Sequence, residues 1–286
     1  MINPKFQKLF QSFKLHDGVY LDFELYSGAQ GTEYLFRRDI ASKVYFDYYT
    51  TISRSHSIPV MDAEVDSFLK MIPINGIILD IGGGWGWHWR RLASTRPDIC
   101  VVILDFVKEN FLHAHTILGD LIGKNIALLH SDATNLPFTI DEEFTGFDGV
   151  WSVQTLQHIP NFKIVVAEAH RVLKVGASFA NYSLNYLPIF KFFKHIFGKD
   201  YSRSSKIQGS YWLFYASNEQ KEAIEVVFSN NVIVRFTEII YTPELRFFAP
   251  GTRNSLLGKV DAKLSNKYGF LRHVSRQCSF HTFKVL

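Results

Sequence analysis

The segment Ile77–Gly86 constrains the fold of this chain more than any other, because it reads I-I-L-D-I-G-G-G-W-G. An apolar run leads into an acid, Asp80, and glycine then fills four of the five positions from 82 to 86. An open α/β sheet builds a nucleotide pocket from such a strand, acid and glycine turn, since glycine lets a ligand approach the backbone closely. The spacing is D-x-G-x-G-x-G. Trp87 stands where a dinucleotide fingerprint, G-x-G-x-x-G, needs its third glycine, so the spacing favours another adenosine-bearing cofactor.

Strand and helix signals alternate from about residue 62 to residue 183, which predicts βαβ units and a parallel sheet. The predicted strands are Ile77–Ile81, Cys100–Asp105, Ile126–His130, Phe147–Val153 and Ala177–Ser183. The predicted helices are Asp62–Met71, Trp85–Thr95, Lys108–Leu121 and Asn161–Leu173. A later helix and two β-like runs suit an antiparallel sheet edge; they are Asn218–Phe228, Val232–Ile240 and Ser279–Val285.

Composition and charge exclude several classes of protein. A formal net charge of +4 is too small to indicate a nucleic-acid partner by itself. The two cysteines, Cys100 and Cys278, form neither a disulfide framework nor a zinc site, which favours a reducing compartment. The Met1–Asp17 segment lacks the apolar core of a signal peptide, and no apolar run approaches the roughly 18–20 residues that span a bilayer. We therefore expect a cytoplasmic protein.

Acidic residues recur where the predicted strands end. Asp105 ends the second strand, 105 − 80 = 25 residues after Asp80. A carboxylate about 20 residues past a glycine loop fits hydrogen bonding to ribose hydroxyls, because it accepts two donors at once. A solvated acid at a strand end is the alternative. Asp132 follows the third strand, within Ser131–Phe138, and an Asx turn that closes the strand is its alternative reading.

Taken in order, these segments resemble the class I S-adenosylmethionine-dependent methyltransferases, in particular the small-molecule type similar to methyltransferase types 11 and 12. Ser131–Phe138 is similar to the family's D-A-x-x-L-P-F segment, Phe147–Pro160 to its fourth strand and following loop, and Glu168–Gly176 to its E-x-x-R-V-L-K-P-G-G helix exit. Val175 and Ala177 depart from the family's proline and second glycine, which are structural positions.

The resemblance covers about residues 76–183 and implies an α/β fold. The expected architecture is a Rossmann-like, seven-stranded, mostly parallel sheet with helices on both faces and an antiparallel last strand. It divides the chain into a helical, cofactor-covering cap over residues 1–60 and a methyltransferase domain over residues 61–286. Residues 184–216 are aromatic and basic, which suits a lid for an apolar or anionic small molecule or a membrane contact. An ordinary hydrophobic subdomain is the alternative.

The resemblance also implies S-adenosyl-L-methionine as the cofactor. The carboxylate of Asp105 would meet the ribose, that of Asp132 the adenine amino group, and Ala133 would line the adenine pocket. The aromatic cluster Tyr45, Tyr48 and Tyr49 would fold over the cofactor, with a core-facing stripe as the alternative. The expected cofactor-binding residues are Asp80, Gly82, Gly84, Gly86, Asp105, Phe106, Asp132, Ala133, Gln154 and Tyr49.

Histidines supply the candidates for a general base. A sulfonium methyl is already activated, so the protein must align the reacting atoms and, for a hydroxyl or ammonium acceptor, remove a proton. His158 is the first candidate because its loop follows the fourth strand; a helix cap or packing role is its alternative. His88, within W-G-W-H-W, either packs or contacts the ligand, and His56 suits a surface loop. We expect no metal site. His113, His115 and His130 lack metal-ligand spacing with a carboxylate partner, so we interpret them as structural.

Methyl transfer to oxygen or nitrogen of a small molecule, rather than to carbon, is the first functional hypothesis. A nucleic-acid methyltransferase is the second; against it, Ser152–Thr155 lacks the N/D-P-P-Y/F/W signature of amino-methylating enzymes. A non-catalytic S-adenosylmethionine-binding or scaffold protein is a third hypothesis, and a nicotinamide-dependent oxidoreductase a fourth. The acceptor and the oligomeric state stay open.

Overall fold

The structure is a computed structural model, and it describes residues 2–22, 31, 34–35, 38–39, 57–159, 161–184, 217–239 and 256–286. Its strands are β1 (Lys14–His16), β2 (Val19–Leu21), β3 (Ile77–Ile81), β4 (Cys100–Asp105), β5 (Ile126–His130), β6 (Phe147–Val153), β7 (Leu173–Leu184), β8 (Ile233–Thr237) and β9 (Gln277–Phe283). Its α-helices are α1 (Pro4–Leu9), α2 (Ser57–Leu69), α3 (Leu92–Thr95), α4 (Asn110–Leu118), α5 (Phe162–Val172), α6 (Ser217–Phe228) and α7 (Leu256–Leu264). Single 3-10 turns are Trp87–Trp89, Gly119–Leu121, Leu156–His158 and Gly269–His273.

All the described strands join one mixed sheet in the order β1-β2-β5-β4-β3-β6-β7-β9-β8. The run from β2 to β7 is parallel, while β9 is antiparallel to both β7 and β8. The predicted α/β class and the antiparallel late edge are confirmed. The predicted count of seven strands is wrong, because the described part of the chain forms a 9-stranded sheet. The two additional strands form an N-terminal hairpin that pairs with the free edge of β5.

Both faces of the sheet are covered, and this explains the continuous apolar runs of the central strands. Along β4, Val101 and Ile103 point into one buried cluster, and Val102 and Leu104 point into the other. Side chains of α1, α5 and α6 complete the second cluster, whereas those of α2, α3 and α4 complete the first. None of the helices in the described ranges combines the length and apolar character needed to cross a membrane.

The helix after the glycine loop is shorter than predicted. The sequence predicts one helix over Trp85–Thr95, whereas the structure has a 3-10 turn at Trp87–Trp89 and then α3. Gly86 has φ +68°, a left-handed conformation that a right-handed helix cannot contain. The boundary therefore follows from the glycine that permits the turn.

The N-terminal hairpin is anchored by aromatic packing. Phe10, which is 3% exposed, stacks on Tyr20 of β2 with ring centroids 4.2 Å apart. Phe6, at the start of the same unit, is fully buried beneath the sheet. The predicted Tyr45, Tyr48, Tyr49 cluster, His56 and nearly all of the 184–216 lid lie outside the described residues.

Phe10→Ala should lower the free energy of unfolding by about 3–5 kcal/mol, the usual cost of deleting a buried phenylalanine. Leu15→Ala is the matched control, since Leu15 on β1 is 46% exposed and should change stability little. Urea unfolding followed by circular dichroism measures both variants. Equal losses in the two variants would show that the hairpin does not share the core.

Candidate functional site

The carboxyl ends of three adjacent parallel strands, β4, β3 and β6, form the candidate site. Asp105 is the last residue of β4, Asp80 is the penultimate residue of β3, and Gln154 follows β6 directly. Neighbouring parallel strands end at one edge of a sheet, and open α/β proteins bind their ligands in the crevice there. The structure thus brings together the residues predicted from the first, second and fourth strand signals.

Glycine is favoured in the loop after β3 for lack of space at two positions and for a left-handed backbone conformation at a third. A Cβ on Gly82 would overlap Thr155, and a Cβ on Gly83 would overlap the Asp80 carboxylate, so both glycines are required for packing. Gly84 has φ +51°, and the nearest atom to an added Cβ would be Asp105 Oδ2 at 3.5 Å. A side chain at position 84 would therefore lie in contact with the Asp105 carboxylate, in a backbone conformation that favours glycine.

Asp80 is the most perturbed acid of the site. It is 1% exposed, and its Oδ2 accepts a hydrogen bond from the indole Nε1 of Trp89 at 2.7 Å. Its Oδ1 is buried and has no hydrogen-bond partner among the described residues. Burial, with the charge of Asp105 adding to it, raises the pKa of Asp80 to about 7. A cation near Oδ1 would favour the charged carboxylate.

The Asp105 carboxylate is held in one orientation by its neighbours. Its Oδ1 accepts hydrogen bonds from the backbone amide of Val107 at 2.7 Å and from Asn110 Nδ2 at 3.2 Å. Asn110 Oδ1 in turn accepts from Trp85 Nε1 at 3.2 Å, which connects the start of α4 with the glycine loop. These bonds use Oδ1, so the opposite oxygen is the one directed at Gly84.

Asp132 closes a turn after β5. Its Oδ1 accepts from the Thr134 amide at 2.9 Å and its Oδ2 from the Thr134 hydroxyl at 2.7 Å. This is the Asx turn that the sequence offered as the alternative. Ala133 beside it is buried.

Tyr34 is a residue near the site that the sequence did not single out. Its ring packs edge-on against Phe106, with centroids 6.0 Å apart, and its hydroxyl donates to Glu109 Oε1 at 2.9 Å. Burial and the Glu109 carboxylate raise the pKa of Tyr34 to about 12. The partner lies 75 positions away in sequence, so no local pattern indicates this contact.

The loop after β6 is hydrogen-bonded to the loop after β3. Ser152 Oγ donates to the Ile81 carbonyl at 2.9 Å, and Thr155 Oγ1 donates to the Gly82 carbonyl at 3.1 Å. Gln154 lies between them in the chain with φ +52°, and its backbone N–H donates to the Tyr182 carbonyl at 2.7 Å. The positive φ of a non-glycine residue is a strained conformation that these bonds maintain.

A chain of buried amides and hydroxyls fixes the ring of His158. Gln157 Oε1 accepts from the Ser183 hydroxyl and, at 2.8 Å, from the Leu184 amide. The other end of the Gln157 amide, Nε2, therefore donates to His158 Nε2 at 3.1 Å. His158 Nε2 is thus the acceptor nitrogen, which puts the proton of the neutral ring on Nδ1. Gln220 on α6 extends the chain by donating to Ser183 Oγ at 2.9 Å.

His88 lies in the 3-10 turn after the glycine loop, with its ring edge-on to Trp151 at 6.1 Å between centroids. Burial and the neighbouring Arg90 cation lower the pKa of His88 to about 4, so the ring is neutral near pH 7. Arg90 holds the turn through Asp62, at 2.7 Å, and through cation–π stacking on Trp87 at 4.5 Å.

The three histidines that the sequence assigned to structural roles have packing or backbone partners. His113 packs against Trp85, His115 contacts the Asp17 carbonyl at 3.1 Å, and His130 contacts the Phe106 carbonyl at 3.2 Å. Among the described residues, no group of three His, Cys, Asp or Glu side chains is arranged to hold a metal ion.

Comparison with known proteins places a family model described as a methyltransferase domain on residues 78–176. The demethylmenaquinone methyltransferase of Staphylococcus aureus is 31% identical over 179 residues, covering 55% of this chain and 69% of that protein.

Two solved structures are similar in fold. The phosphoethanolamine N-methyltransferase 2 of Haemonchus contortus, in complex with S-adenosyl-L-methionine, has a TM-score of 0.54 at 16% identity, covering 87% of this chain and 60% of that one. The geranyl diphosphate C-methyltransferase of Streptomyces coelicolor, in complex with S-adenosyl-L-homocysteine, has a TM-score of 0.52 at 14% identity, covering 78% and 76%.

Asp80→Asn should change how stability depends on pH. The folded-state pKa of Asp80 lies above the ordinary value of 3.8, so its contribution is present below about pH 4 and is lost as pH rises through about 7. Relative to wild type, the variant should gain up to about 4 kcal/mol between pH 4 and pH 8. Urea unfolding at a series of pH values, without cofactor, measures this gain. Asp120→Asn is the fully exposed control, and parallel profiles for Asp80→Asn and wild type would contradict the assignment.

Proposed function

Since this chain belongs to the class I S-adenosylmethionine-dependent methyltransferases, we propose that it methylates an oxygen or nitrogen atom of an apolar small molecule. The observation that carries the choice of site is the pair of buried carboxylates, Asp80 and Asp105, at adjacent strand ends, with Asp80 against Gly83 and Asp105 against Gly84. Two acids there suit a ligand that combines ribose hydroxyls with cationic groups.

The residues of the site fit S-adenosylmethionine on structural grounds. The buried Oδ1 of Asp80 lacks a partner among the described residues, and the methionine end of the cofactor carries an ammonium and a sulfonium. An opposite charge there would offset the burial that raises the pKa of Asp80. The Asp105 carboxylate faces the glycine loop and suits the ribose hydroxyls.

When bound, S-adenosylmethionine supplies an activated methyl group, so the chain contributes binding, alignment and proton removal. We assign Asp105 to the ribose, Asp132, Ala133 and Phe106 to the adenine, and Gly84 to the close backbone approach. Gly82 and Gly86 stay predicted contacts, since the structure gives both a packing role against protein side chains. Gln154 and Tyr49 stay predicted contacts, and Tyr49 lies outside the described residues.

We propose His158 as the base, on the condition that Gln157 releases Nε2 before this nitrogen takes a proton from the acceptor. That nitrogen already accepts a hydrogen bond from Gln157, so uptake of a proton there requires the Gln157 amide to turn away. The Ser183 and Leu184 donors oppose a flip of the amide, because a flipped Gln157 would direct its NH₂ group at them. His88 is the second candidate, because its ring is neutral near pH 7, but its pKa of about 4 makes it a weaker base than an ordinary histidine.

An apolar acceptor is supported by two relatives. The Staphylococcus aureus relative is named for demethylmenaquinone and the Streptomyces coelicolor structure for geranyl diphosphate, both of which carry hydrocarbon chains. The aromatic residues of the predicted lid over 184–216 are compatible with such an acceptor. The second name also specifies transfer to carbon, so product analysis must identify the methylated atom.

Asp105→Ala should weaken the binding of S-adenosylmethionine and S-adenosylhomocysteine by about 1–3 kcal/mol, because ribose hydroxyls would lose their buried acceptor. Calorimetric titration of the folded variant with each ligand measures the loss. Asp120→Ala, at a fully exposed side chain, is the control that should bind like wild type. Unchanged affinity in Asp105→Ala would remove this carboxylate from the site.

His158→Ala should lower turnover by roughly 10²–10⁴-fold and leave cofactor affinity unchanged, as expected for the loss of a general base. The assay is transfer of an isotopically labelled methyl group to a panel of prenylated phenols and amines, with mass spectrometry of the product. Gln157→Leu should keep activity but shift the pH optimum, because it frees His158 Nε2. Full activity of His158→Ala across pH would contradict the assignment and direct the same test to His88→Ala.

A further inference from the structure

The segment from Leu256 to His273, here called the α7 surface, exposes large apolar side chains. It comprises α7, a turn and the 3-10 turn Gly269–His273. Leu256 is 76% exposed and Phe270 is 70% exposed. The other exposed apolar residues of this segment are Leu257, Val260 and Tyr268.

The same segment exposes cations and no acid. Its exposed basic residues are Lys259, Lys263, Lys267 and Arg272. Its acid is Asp261, which is fully buried and accepts a hydrogen bond from the Ile239 amide at 2.8 Å. The α7 surface therefore presents positive charge together with apolar side chains.

Helical geometry separates the two kinds of residue from the buried side of α7. Gly258 and Asp261 face inward, where α7 packs on α2. Leu256 and Val260 are four residues apart, so they lie together on the outward face. Lys259 and Lys263 are spaced in the same way and flank that pair. Apolar residues along the outer face with lysines beside them are the arrangement of a helix that lies in a membrane interface.

The segment is also firmly attached to the rest of the protein. Asn266 Nδ2 donates to Glu64 Oε1 of α2 at 3.0 Å, and Asn266 Oδ1 accepts from the Phe236 amide of β8 at 2.9 Å. Glu64 is itself held by the Tyr182 hydroxyl at 2.8 Å. An interaction at the α7 surface would therefore fix the orientation of the whole sheet.

We propose that the α7 surface binds the surface of an anionic lipid bilayer. Leucine, valine and phenylalanine side chains would enter the boundary between headgroups and acyl chains, while lysines extend toward anionic headgroups. Each lysine near such a surface adds attraction that salt screens. Bound there, the protein would reach an acceptor whose hydrocarbon chain dissolves in the bilayer. The membrane binding itself does not depend on the proposed reaction.

Vesicle sedimentation with the full chain tests this inference without any methyl transfer. Vesicles of phosphatidylcholine with one quarter phosphatidylglycerol should bind the protein at least about tenfold more tightly than vesicles of phosphatidylcholine alone. Binding should weaken as salt is raised from about 50 mM to about 500 mM, because added salt screens the attraction between the lysines and the anionic headgroups. Equal binding to both compositions, or none to either, would overturn the proposal.

Two double variants identify the surface. Leu256→Glu with Phe270→Glu, and Lys259→Glu with Lys263→Glu, should each reduce binding to the anionic vesicles by roughly tenfold or more. Leu112→Glu with Ile74→Glu is the matched apolar control, because these side chains are 68% and 82% exposed and the double variant adds the same charge. Lys70→Glu with Lys163→Glu is the matched charge control at other exposed lysines.

Folding and self-association are measured on the same samples. Each variant should keep the thermal unfolding temperature and the S-adenosylhomocysteine affinity of wild type, so that a loss of vesicle binding is not a loss of the fold. Light scattering shows whether the apolar double variant changes the oligomeric state. Variants that bind vesicles like the controls, or a change in oligomer mass with unchanged vesicle binding, would reject the membrane in favour of another partner.

Discussion

The buried carboxylate of Asp80 is the constraint on which the candidate site depends. It lies directly under the glycine loop, and its contact with the Trp89 indole sets where the following 3-10 turn runs. Gly83 must be glycine because the carboxylate occupies the space of a side chain. Burial makes the charged form of Asp80 unfavourable, so a cationic ligand at this carboxylate would offset a cost that the fold already carries.

Hydrogen bonds between loops, in addition to those within them, give the site its rigidity. The Thr155 hydroxyl links the β6 loop to the β3 loop, and Asn110 links Asp105 to Trp85. Each loop is short and ends at a strand of the same parallel sheet, so small movements of one strand end would be felt at the others. The carboxylates therefore have fixed positions before any ligand arrives, which lowers the entropic cost of binding.

The sequence predicted the central strands closely, since β3, β4, β5 and β6 have the predicted bounds. Their apolar runs are buried on both faces and leave little ambiguity. Other features depended on information that is not local. The β1 and β2 strands have three residues each, too few for a periodic signal; β2 forms by pairing with β5, and β1 by pairing with β2. The Gln157, Ser183 and Gln220 chain joins residues 26 to 37 positions apart, and only the assembled sheet brings them into contact.

The N-terminal hairpin has a consequence for the solubility of the chain. Without β2, the apolar β5 strand would be the last strand of the sheet, with a row of unpaired backbone amides and carbonyls open to other molecules. The hairpin replaces that long apolar border with β1, whose three residues are all exposed and include Lys14 and His16. Such a short, polar border is a poor template for intermolecular strand pairing. By covering the edge of β5, the β1–β2 hairpin should lower the tendency of the chain to aggregate, in addition to its part in the core.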